Sequence, residues 1–280
     1  MTLLKAVIFA IIHGIAEFLP ISSSGHLMIL EQLFKIDPAD GSMTFLNAML
    51  HLGTLCSVLY FFKDELKTML LEVIMLATGR SRDGRDENGR KLPKLRLILL
   101  IVIGTLPILL VFLLRSYIQS LYSKLTFVAF AMLVTGMLAY VSDKIQTGTK
   151  KKDKNITVFD AVLVGCAQLI GVIPGLSRSG TTIVVGAARG LKRSIAVKFS
   201  LLLSIPAAIG LVIVMLINAF KAGVEWSFWL SYLLGYLISF VVGVFSIGIM
   251  RGLVERRRMR GVAYYVWLVG AVTLVVSIFA

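Results

Sequence analysis

The 280-residue sequence is poor in charged residues (16%), and it contains only two cysteines and three histidines. Cys56 and Cys166 lie in apolar runs with no other cysteine nearby, which excludes a disulfide scaffold and a cysteine-ligated metal site. The scarcity of charge, together with 58% hydrophobic residues and a mean hydropathy of +0.89, excludes a soluble globular domain. Apolar runs of about 20 residues, enough to cross a bilayer, recur along the chain and indicate a polytopic helical membrane protein.

Acidic residues are also scarce: the chain has 15 of them against 29 lysines and arginines, giving a formal net charge of +14. The basic residues cluster in short loops between apolar runs, which is typical of cytoplasmic loops that face anionic lipid. We therefore expect a membrane, and not a nucleic acid, as the partner of these charges. The apolar stretch after Lys5 has no signal-peptide cleavage site and is expected to stay in the mature protein.

Hydropathy and loop charge predict six full spans and two interrupted segments. The spans are expected at 43–62, 96–114, 123–142, 195–219, 226–250 and 262–279. The basic stretches are predicted to be cytoplasmic, and they are 63–96, Lys150–Lys154 and Arg251–Arg260. The weakly charged loops, 115–124 and 220–225, are predicted to lie outside. The remaining apolar segments, 3–35 and 157–191, are each interrupted by a polar motif and are expected to re-enter the membrane.

The two interrupted segments resemble each other. AIIHGIAEFLPISSSGHLMIL, from Ala10, and VGCAQLIGVIPGLSRSGTTIVV, from Val164, both pass from an apolar helix through a proline, a serine-rich loop and a glycine into a second apolar run. Because they enter from opposite sides, they predict an inverted-topology repeat. The predicted fold is therefore all-α, with six transmembrane helices and two re-entrant helix hairpins. It forms one integral membrane domain over 1–280, with repeats at about 3–142 and 157–279 and a cytoplasmic loop at 63–96.

The second loop, PGLSRSGTT, has the composition of an anion site. Ser179 and Thr181 or Thr182 are predicted helix N-caps, and the helix that follows directs its free N–H groups at the loop. Arg178 adds a positive fork suited to phosphate oxygens. The first loop repeats this design with three serines before Gly25, and HLMIL is expected to open its second half-helix. Together the loops predict a phosphate or diphosphate pocket.

Three residues in the first loop and at its ends are candidates for the chemistry. Glu17, one helical turn after His13, could hold a divalent cation or act as a general base. Ser23 is a candidate nucleophile if His26 or Glu17 is within hydrogen-bonding reach, and His26 could instead attack phosphorus or protonate the leaving group. His51 is interpreted as a packing residue, for which a helix–helix hydrogen bond involving Asn47 would suffice.

EFLPISSSGHL and PGLSRSGTT resemble the two signature regions of the undecaprenyl-diphosphatase family, and the resemblance in length and span spacing covers the whole chain. It implies hydrolysis of undecaprenyl diphosphate to the monophosphate and phosphate, recycling the lipid carrier of cell-wall synthesis and conferring bacitracin resistance. It further implies a divalent cation (Mg²⁺, or Ca²⁺), a site open to the outer face of the bacterial plasma membrane, and a homodimer.

Matching positions and the loop analysis together give the expected site. The expected catalytic residues are Glu17, Ser23, His26 and Arg178; the expected diphosphate-binding residues are Ser22, Ser24, Gly25, Ser177, Ser179, Gly180 and Thr182. One departure concerns the metal, for which Glu17 is the expected ligand: His13 stands where the family has Glu or Gln. Imidazole binds Mg²⁺ poorly, but it could still hydrogen-bond phosphate or prefer a softer metal.

Two other functions fit parts of the pattern. SSSGH and the later SR resemble the type-2 phosphatidic-acid phosphatases, but that mechanism needs a histidine after the SR element, and all three histidines precede Arg178. A polyprenyl-phosphate transporter or flippase is the remaining alternative, because broken helices that meet at the midplane are a transporter design.

Overall fold

The computed structural model describes residues 2–82, 85–86, 92–122, 124–145 and 155–279. The predicted basic loop Lys150–Lys154 and parts of the predicted loop 63–96 lie outside the described residues.

Six long apolar helical segments, counted over the described residues, confirm the prediction of a polytopic helical membrane protein. Their bounds are Gly41–Phe61, Pro93–Leu114, Leu125–Lys144, Arg193–Ala222, Trp226–Glu255 and Arg260–Phe279. In chain order they contain helices α3 (Gly41–Phe61), α5 (Pro93–Thr105), α7 (Leu125–Lys144), α10 (Arg193–Ala222), α11 (Trp229–Glu255) and α12 (Arg260–Phe279). Each begins or ends within a few residues of its predicted limits, because the length of an apolar run is set by the bilayer thickness.

The second span does not end where its hydropathy falls. The Leu106–Leu110 segment, which contains Pro107, is a 3₁₀ turn after α5, and helix α6 then continues over Val111–Tyr122. Proline lacks the N–H that an α-helix needs, which accounts for the tighter turn at this point. The prediction of an outer loop over 115–124 was therefore wrong for most of its length.

The predicted loop 63–96 is partly folded. Helix α4 (Lys63–Ala77) follows α3 after a single residue, and Ser81–Arg82 pairs antiparallel with Arg85–Asp86 as two-residue strands β1 and β2. This small β pair is the one departure from the all-α prediction in the described part of the chain. Hydropathy did not reveal α4 because its composition is amphipathic, with acidic residues in its first turn.

Carboxylates of α4 attach it to the neighbouring helices. Glu72 accepts hydrogen bonds from the backbone N–H groups of Lys94 (2.8 Å) and Leu95 (2.9 Å), and so caps the start of α5. Glu65 forms ion pairs with Lys94 and with Lys198, the latter at 3.0 Å. Burial raises the pKa of the Glu65 carboxyl, but the hydrogen bonds from the two lysines outweigh it and hold that pKa below its usual value.

The two interrupted segments form two pairs of shorter helices. The first pair is α1 (Leu3–Ala16) and α2 (Ser23–Leu33), and the second is α8 (Val158–Ile170) and α9 (Arg178–Ala188). Thr157 starts the second pair with a capping box, in which its hydroxyl accepts from Asp160 N–H and the Asp160 carboxylate accepts from Thr157 N–H. The six or seven residues between the helices of each pair are the proline- and serine-containing motifs.

Close helix packing brings the two motifs together. Helix α3 packs against α10 and α11, α7 packs against α12, α1 packs against α11, and α8 packs against α5. Gly165 of α8 lies so near α5 that a Cβ atom there would stand 2.1 Å from the Gly104 carbonyl oxygen. Small residues permit such approach between membrane helices, where packing rather than hydrophobic exclusion drives association.

Candidate active site

The first loop, residues 17–22, ends in a helix cap. Ser22 is the N-cap of α2, with a left-handed φ of +71°, and its Oγ accepts a hydrogen bond from Gly25 N–H at 3.1 Å. The second half-helix therefore begins at Ser23, several residues before the predicted start at HLMIL. The helix starts earlier because the Ser22 hydroxyl caps it at this point, and hydropathy alone does not show which residue is the cap.

The second loop repeats this cap. Ser177 is the N-cap of α9, and its Oγ accepts from Gly180 N–H, again at 3.1 Å. The prediction of Ser179, Thr181 or Thr182 as the cap was wrong, because these residues already lie inside the helix. The hydroxyls of the two threonines donate back to the Arg178 carbonyl at 2.9 Å, as Ser and Thr do within helices.

Hydrogen bonds join the two loops. Gly175 donates its backbone N–H to Ser24 Oγ at 3.2 Å, and its carbonyl accepts from the Thr135 hydroxyl of α7 at 2.9 Å. The same hydroxyl accepts from Ser177 N–H at 3.0 Å. Gly175 has a φ of +88°, and a Cβ there would lie 2.3 Å from the Val128 carbonyl oxygen. The junction thus requires glycine at this position, both for its backbone conformation and for space.

Glu17 lies between the two helix starts and contacts both. Its Oε2 accepts a hydrogen bond from Ser23 Oγ at 2.8 Å, and its Oε1 pairs with the Arg178 guanidinium. The Glu17 side chain is 8% exposed and that of Arg178 is 22% exposed, so the pair is shielded from bulk solvent on most sides. The structure thus brings together three of the four predicted catalytic residues.

His26, the fourth, lies apart from this group. One of its ring nitrogens, Nδ1, is 2.8 Å from the Ser22 carbonyl oxygen, and Nε2 is 2.9 Å from the Tyr265 hydroxyl of α12. The rings of His26 and Tyr265 are stacked, with centroids 5.7 Å apart. His26 therefore contacts the Ser22 backbone on one side and α12 on the other, and it supports the residue that caps α2.

A cavity of about 260 Å³ opens beside Glu17. The first residues of both half-helices line it, so two helix N-termini with their partial positive charge face the same space. Of the predicted site residues, Glu17, Ser23, Ser24, Ser177 and Arg178 line this cavity. Ser179 lies with Glu17 and Arg178 around a smaller adjoining space. Ser22, Gly25 and Gly180 form the caps, and Thr182 is buried within hydrogen-bonding distance (2.5 Å) of Ser200.

Two histidines, His13 and His51, lie close to Glu17. His13 and His51 meet edge to face, with ring centroids 4.4 Å apart, and each offers a ligand atom in a group with the Glu17 carboxylate. His51 also lines the cavity, as do Asn47 and Glu31, which hydrogen-bond each other at 3.3 Å. The interpretation of His51 as a packing residue missed this. Its position follows from the docking of α3 on α1, which no local pattern in α3 reveals.

The donor atoms do not suit the cation expected from the sequence. Mg²⁺ and Ca²⁺ prefer oxygen ligands, whereas two of the three side chains grouped here are imidazoles.

The fold and the site define a class. An arginine, a carboxylate, several hydroxyls and two helix N-termini converge on one cavity within a bundle of six apolar spans. This is an integral membrane protein whose polar cavity has a lining of the kind that suits an anion.

Comparison with known proteins defines the family. Residues 6–272 match the family model described as "Bacitracin resistance protein BacA". The chain is 36% identical to the undecaprenyl-diphosphatase of Alkaliphilus metalliredigens (strain QYMF), over 99% of this chain and 100% of that protein. It is 34% identical to the undecaprenyl-diphosphatase of Methanobrevibacter smithii and 33% identical to that of Halothermothrix orenii, each over 99% of both chains. The chain belongs to the BacA family. The six spans and the family together make it a multi-pass protein of the bacterial plasma membrane.

Proposed function

We propose that this protein hydrolyses undecaprenyl diphosphate to undecaprenyl phosphate and inorganic phosphate, which recycles the lipid carrier of cell-wall synthesis and confers bacitracin resistance. Membership of the BacA family supports the activity and the substrate. The observation that carries the proposal is the hydrogen bond from Ser23 Oγ to Glu17, whose other oxygen pairs with Arg178 beside an anion-binding cavity. A transporter would need the anion site but not this hydroxyl–carboxylate pair.

The diphosphate binds between the two half-helix starts. Arg178 contributes a planar fork that can hold two phosphate oxygens, and the N-termini of α2 and α9 contribute backbone N–H groups and their dipoles. The Ser24 and Ser177 hydroxyls line the same cavity. As charge develops on the transferring phosphoryl group, these preoriented donors stabilise it without reorganising.

Ser23 is the nucleophile and Glu17 the base that activates it. The Ser23 oxygen attacks the terminal phosphorus as its proton passes to Glu17, and the bond from that phosphorus to the bridging oxygen breaks. Undecaprenyl phosphate leaves with the bridging oxygen and both electrons of the broken bond. Water then attacks the phosphorus of the phosphoserine, and the bond from that phosphorus to the Ser23 oxygen breaks. The departing Ser23 oxygen takes back the proton held by Glu17, and inorganic phosphate leaves with the water oxygen and its two protons. His26 is assigned a positioning role behind the Ser22 cap, since its ring nitrogens face Ser22 and Tyr265.

The two short helix pairs re-enter the membrane as an inverted repeat in one integral domain. Part of the helix packing supports this: when the halves are exchanged (α1 with α8, α3 with α10, α5 with α11, and α7 with α12), several of the contacts map onto one another. Thus α1 on α11 corresponds to α8 on α5, while α3–α10 and α7–α12 map onto themselves. Ser22 and Ser177, the two caps, occupy equivalent positions. The repeats are proposed at about 3–142 and 157–279.

The cavity opens toward the outer face. Pro38, in the connection between α2 and α3, and Tyr122, within the segment 115–124 that loop charge assigns to the outer side, both line it. The basic segments flank the opposite helix ends, as the positive-inside rule requires. A homodimer and a divalent cation, both implied by the family resemblance, stay predictions.

The test is phosphate release from undecaprenyl diphosphate by the purified protein in detergent, with and without added divalent cations. Ser23→Ala should lower turnover by at least about 1,000-fold, because a missing nucleophile disables the whole group. The matched control is Ser246→Ala, which removes a buried hydroxyl that donates only to Val242 of its own helix; its turnover should stay within about twofold of wild type.

Two outcomes would contradict the proposal. If the wild type binds undecaprenyl diphosphate but releases no phosphate, the anion site serves transport. If Ser23→Ala turns over like Ser246→Ala, Ser23 is not the nucleophile.

A further inference from the structure

Three side chains beside the cavity form a group with metal-ligand geometry. His13 and Glu17 come from the end of α1 and His51 from the middle of α3, and one ligand atom from each lies within 4.8 Å of the others. Among the described residues, this is the one group of three or more histidine, cysteine or acidic side chains whose ligand atoms lie close enough together to hold a metal ion. Two imidazoles and one carboxylate are the protein ligands of many catalytic zinc sites.

His13 has a buried nitrogen without a partner, which is an independent indication of a ligand. The residue is fully buried, and within the described residues its Nδ1 has no hydrogen bond. Its Nε2 lies 3.5 Å from Thr54 Oγ1, which in turn donates to the His51 carbonyl oxygen at 3.0 Å. Thr54 is thus placed to accept from Nε2–H, the arrangement that metal-bound histidines usually make with their second nitrogen. Nδ1 is then left as a bare lone pair in an interior where unpaired polar atoms are costly.

We propose that His13, Glu17 and His51 bind a first-row transition-metal ion, best matched by Zn²⁺, in preference to Mg²⁺ or Ca²⁺. Imidazole nitrogen suits Zn²⁺, whereas Mg²⁺ and Ca²⁺ select oxygen. Zn²⁺–ligand distances of about 2.0–2.2 Å require the three atoms to stand about 3.3 Å from one another, which is at most about 1.5 Å closer than their present limit of 4.8 Å. The proposed ion differs from the cation that the family resemblance implies, because position 13 is a histidine.

Glu17 can accept a metal without losing its present contacts. A carboxylate has about four lone-pair sites. Ser23 and Arg178 use one each, leaving two for an ion. Since Glu17 and His51 line the cavity, a ligand position of the ion would open toward the space assigned to the diphosphate. A role of this ion in catalysis rests on the proposed hydrolase function, but its binding does not.

Metal binding is measured without substrate on tag-free protein that has been stripped with a chelator and then freed of it. Isothermal titration with Zn²⁺ should give one ion per chain, bound at least about 100-fold more tightly than Mg²⁺ or Ca²⁺. X-ray absorption of the zinc-loaded protein should show two imidazole nitrogens in the first coordination sphere, a result that requires no variant and no activity.

His13→Gln and His51→Gln should each weaken Zn²⁺ binding by at least about 10-fold. His26→Gln is the matched control: it removes the one remaining imidazole of the chain, which bonds Ser22 and Tyr265 instead, and should leave Zn²⁺ affinity unchanged. His13→Glu, which adds a second carboxylate, should shift the preference toward Mg²⁺ and Ca²⁺. Elution as a single species on size exclusion identifies the variants that have folded.

The proposal is overturned if Mg²⁺ binds as tightly as Zn²⁺, if the absorption spectrum shows no imidazole, or if folded His13→Gln and His51→Gln bind Zn²⁺ like the wild type. Loss of Zn²⁺ binding in His26→Gln alone would also overturn it. A protein that binds Zn²⁺ as expected but releases no phosphate would contradict the proposed hydrolase function and leave the metal site standing.

Discussion

Replacing Arg178 separates its two possible roles, holding the diphosphate and neutralising Glu17. The guanidinium pairs with the Glu17 carboxylate in a mostly shielded position and lines the cavity. We expect Arg178→Ala to weaken diphosphate binding and nearly abolish turnover. Arg178→Lys keeps the charge but loses the planar fork, so it should fall between the wild type and Arg178→Ala.

The magnitude follows from the number of charged hydrogen bonds lost. Each hydrogen bond to a charged group contributes about 1.5–3 kcal/mol, so two bonds from the fork to phosphate oxygens amount to about 3–6 kcal/mol. At 1.4 kcal/mol per tenfold, Arg178→Ala should raise the Kd by about 100- to 10,000-fold. Lysine can still form one such bond, so Arg178→Lys should cost about 10- to 100-fold.

The assay is isothermal titration with a water-soluble short-chain prenyl diphosphate, in parallel with phosphate release. The same pair of measurements on Glu17→Gln and on the double variant Arg178→Ala/Glu17→Gln completes a cycle, which isolates the part of the effect that passes through Glu17. If Arg178 binds the diphosphate directly, its loss should still raise the Kd by at least about 100-fold when Glu17 is already neutral.

The opposite result would refute this reasoning. Should Arg178→Ala change the Kd by less than about threefold in the Glu17→Gln background, the arginine would serve only to compensate the buried carboxylate, whose desolvation without a partner costs several kcal/mol. The diphosphate would then have to be held by the helix N-termini and hydroxyls alone.

Two further predictions concern stability. Gly175→Ala should lower the melting temperature by several degrees, because strain at a positive φ costs about 1–3 kcal/mol even before the clash with the Val128 carbonyl. The control is Gly252→Ala, where a Cβ would meet nothing within 4 Å, and it should not lower the melting temperature. Glu65→Gln should also lower the melting temperature at pH 7. The folded-state pKa of Glu65 is below its unfolded value, so its contribution is complete above about pH 4.3 and is lost as the pH falls further. The difference from wild type should therefore shrink toward pH 3, and a difference that stays constant from pH 7 to pH 3 would contradict the ion-pair interpretation.

The spans were predictable because hydropathy is a local property with a length fixed by the bilayer. Helices α4 and α6 were not predicted, since both continue a span into a segment of lower hydropathy without a proline or glycine to end it. The interruptions near Pro20 and Pro174 were located correctly, but the caps were not: which of several adjacent serines accepts the helix N–H groups depends on backbone angles that composition does not specify.

The site was predictable in its two motifs and not beyond them. Glu17, Ser23 and Arg178 come from stretches whose polar residues are out of place in an apolar chain, so they stood out. His51 did not, because an isolated histidine in an apolar run is compatible with packing as well as with a site. His26 stood out for the same reason as Ser23, yet the first turn of α2 directs the two side chains to different neighbours.

The cavity has a volume of about 260 Å³, and this limits what the protein can recognise. That space accommodates a diphosphate and the first atoms attached to it, but not a polyprenyl chain. In the proposed binding mode, the headgroup enters between the half-helices and the hydrocarbon tail stays among the acyl chains of the bilayer. An enzyme that contacts only the headgroup cannot measure the tail, so prenyl diphosphates of many lengths should be accepted, and the supply of substrate in the membrane, rather than the protein, decides which lipid is processed.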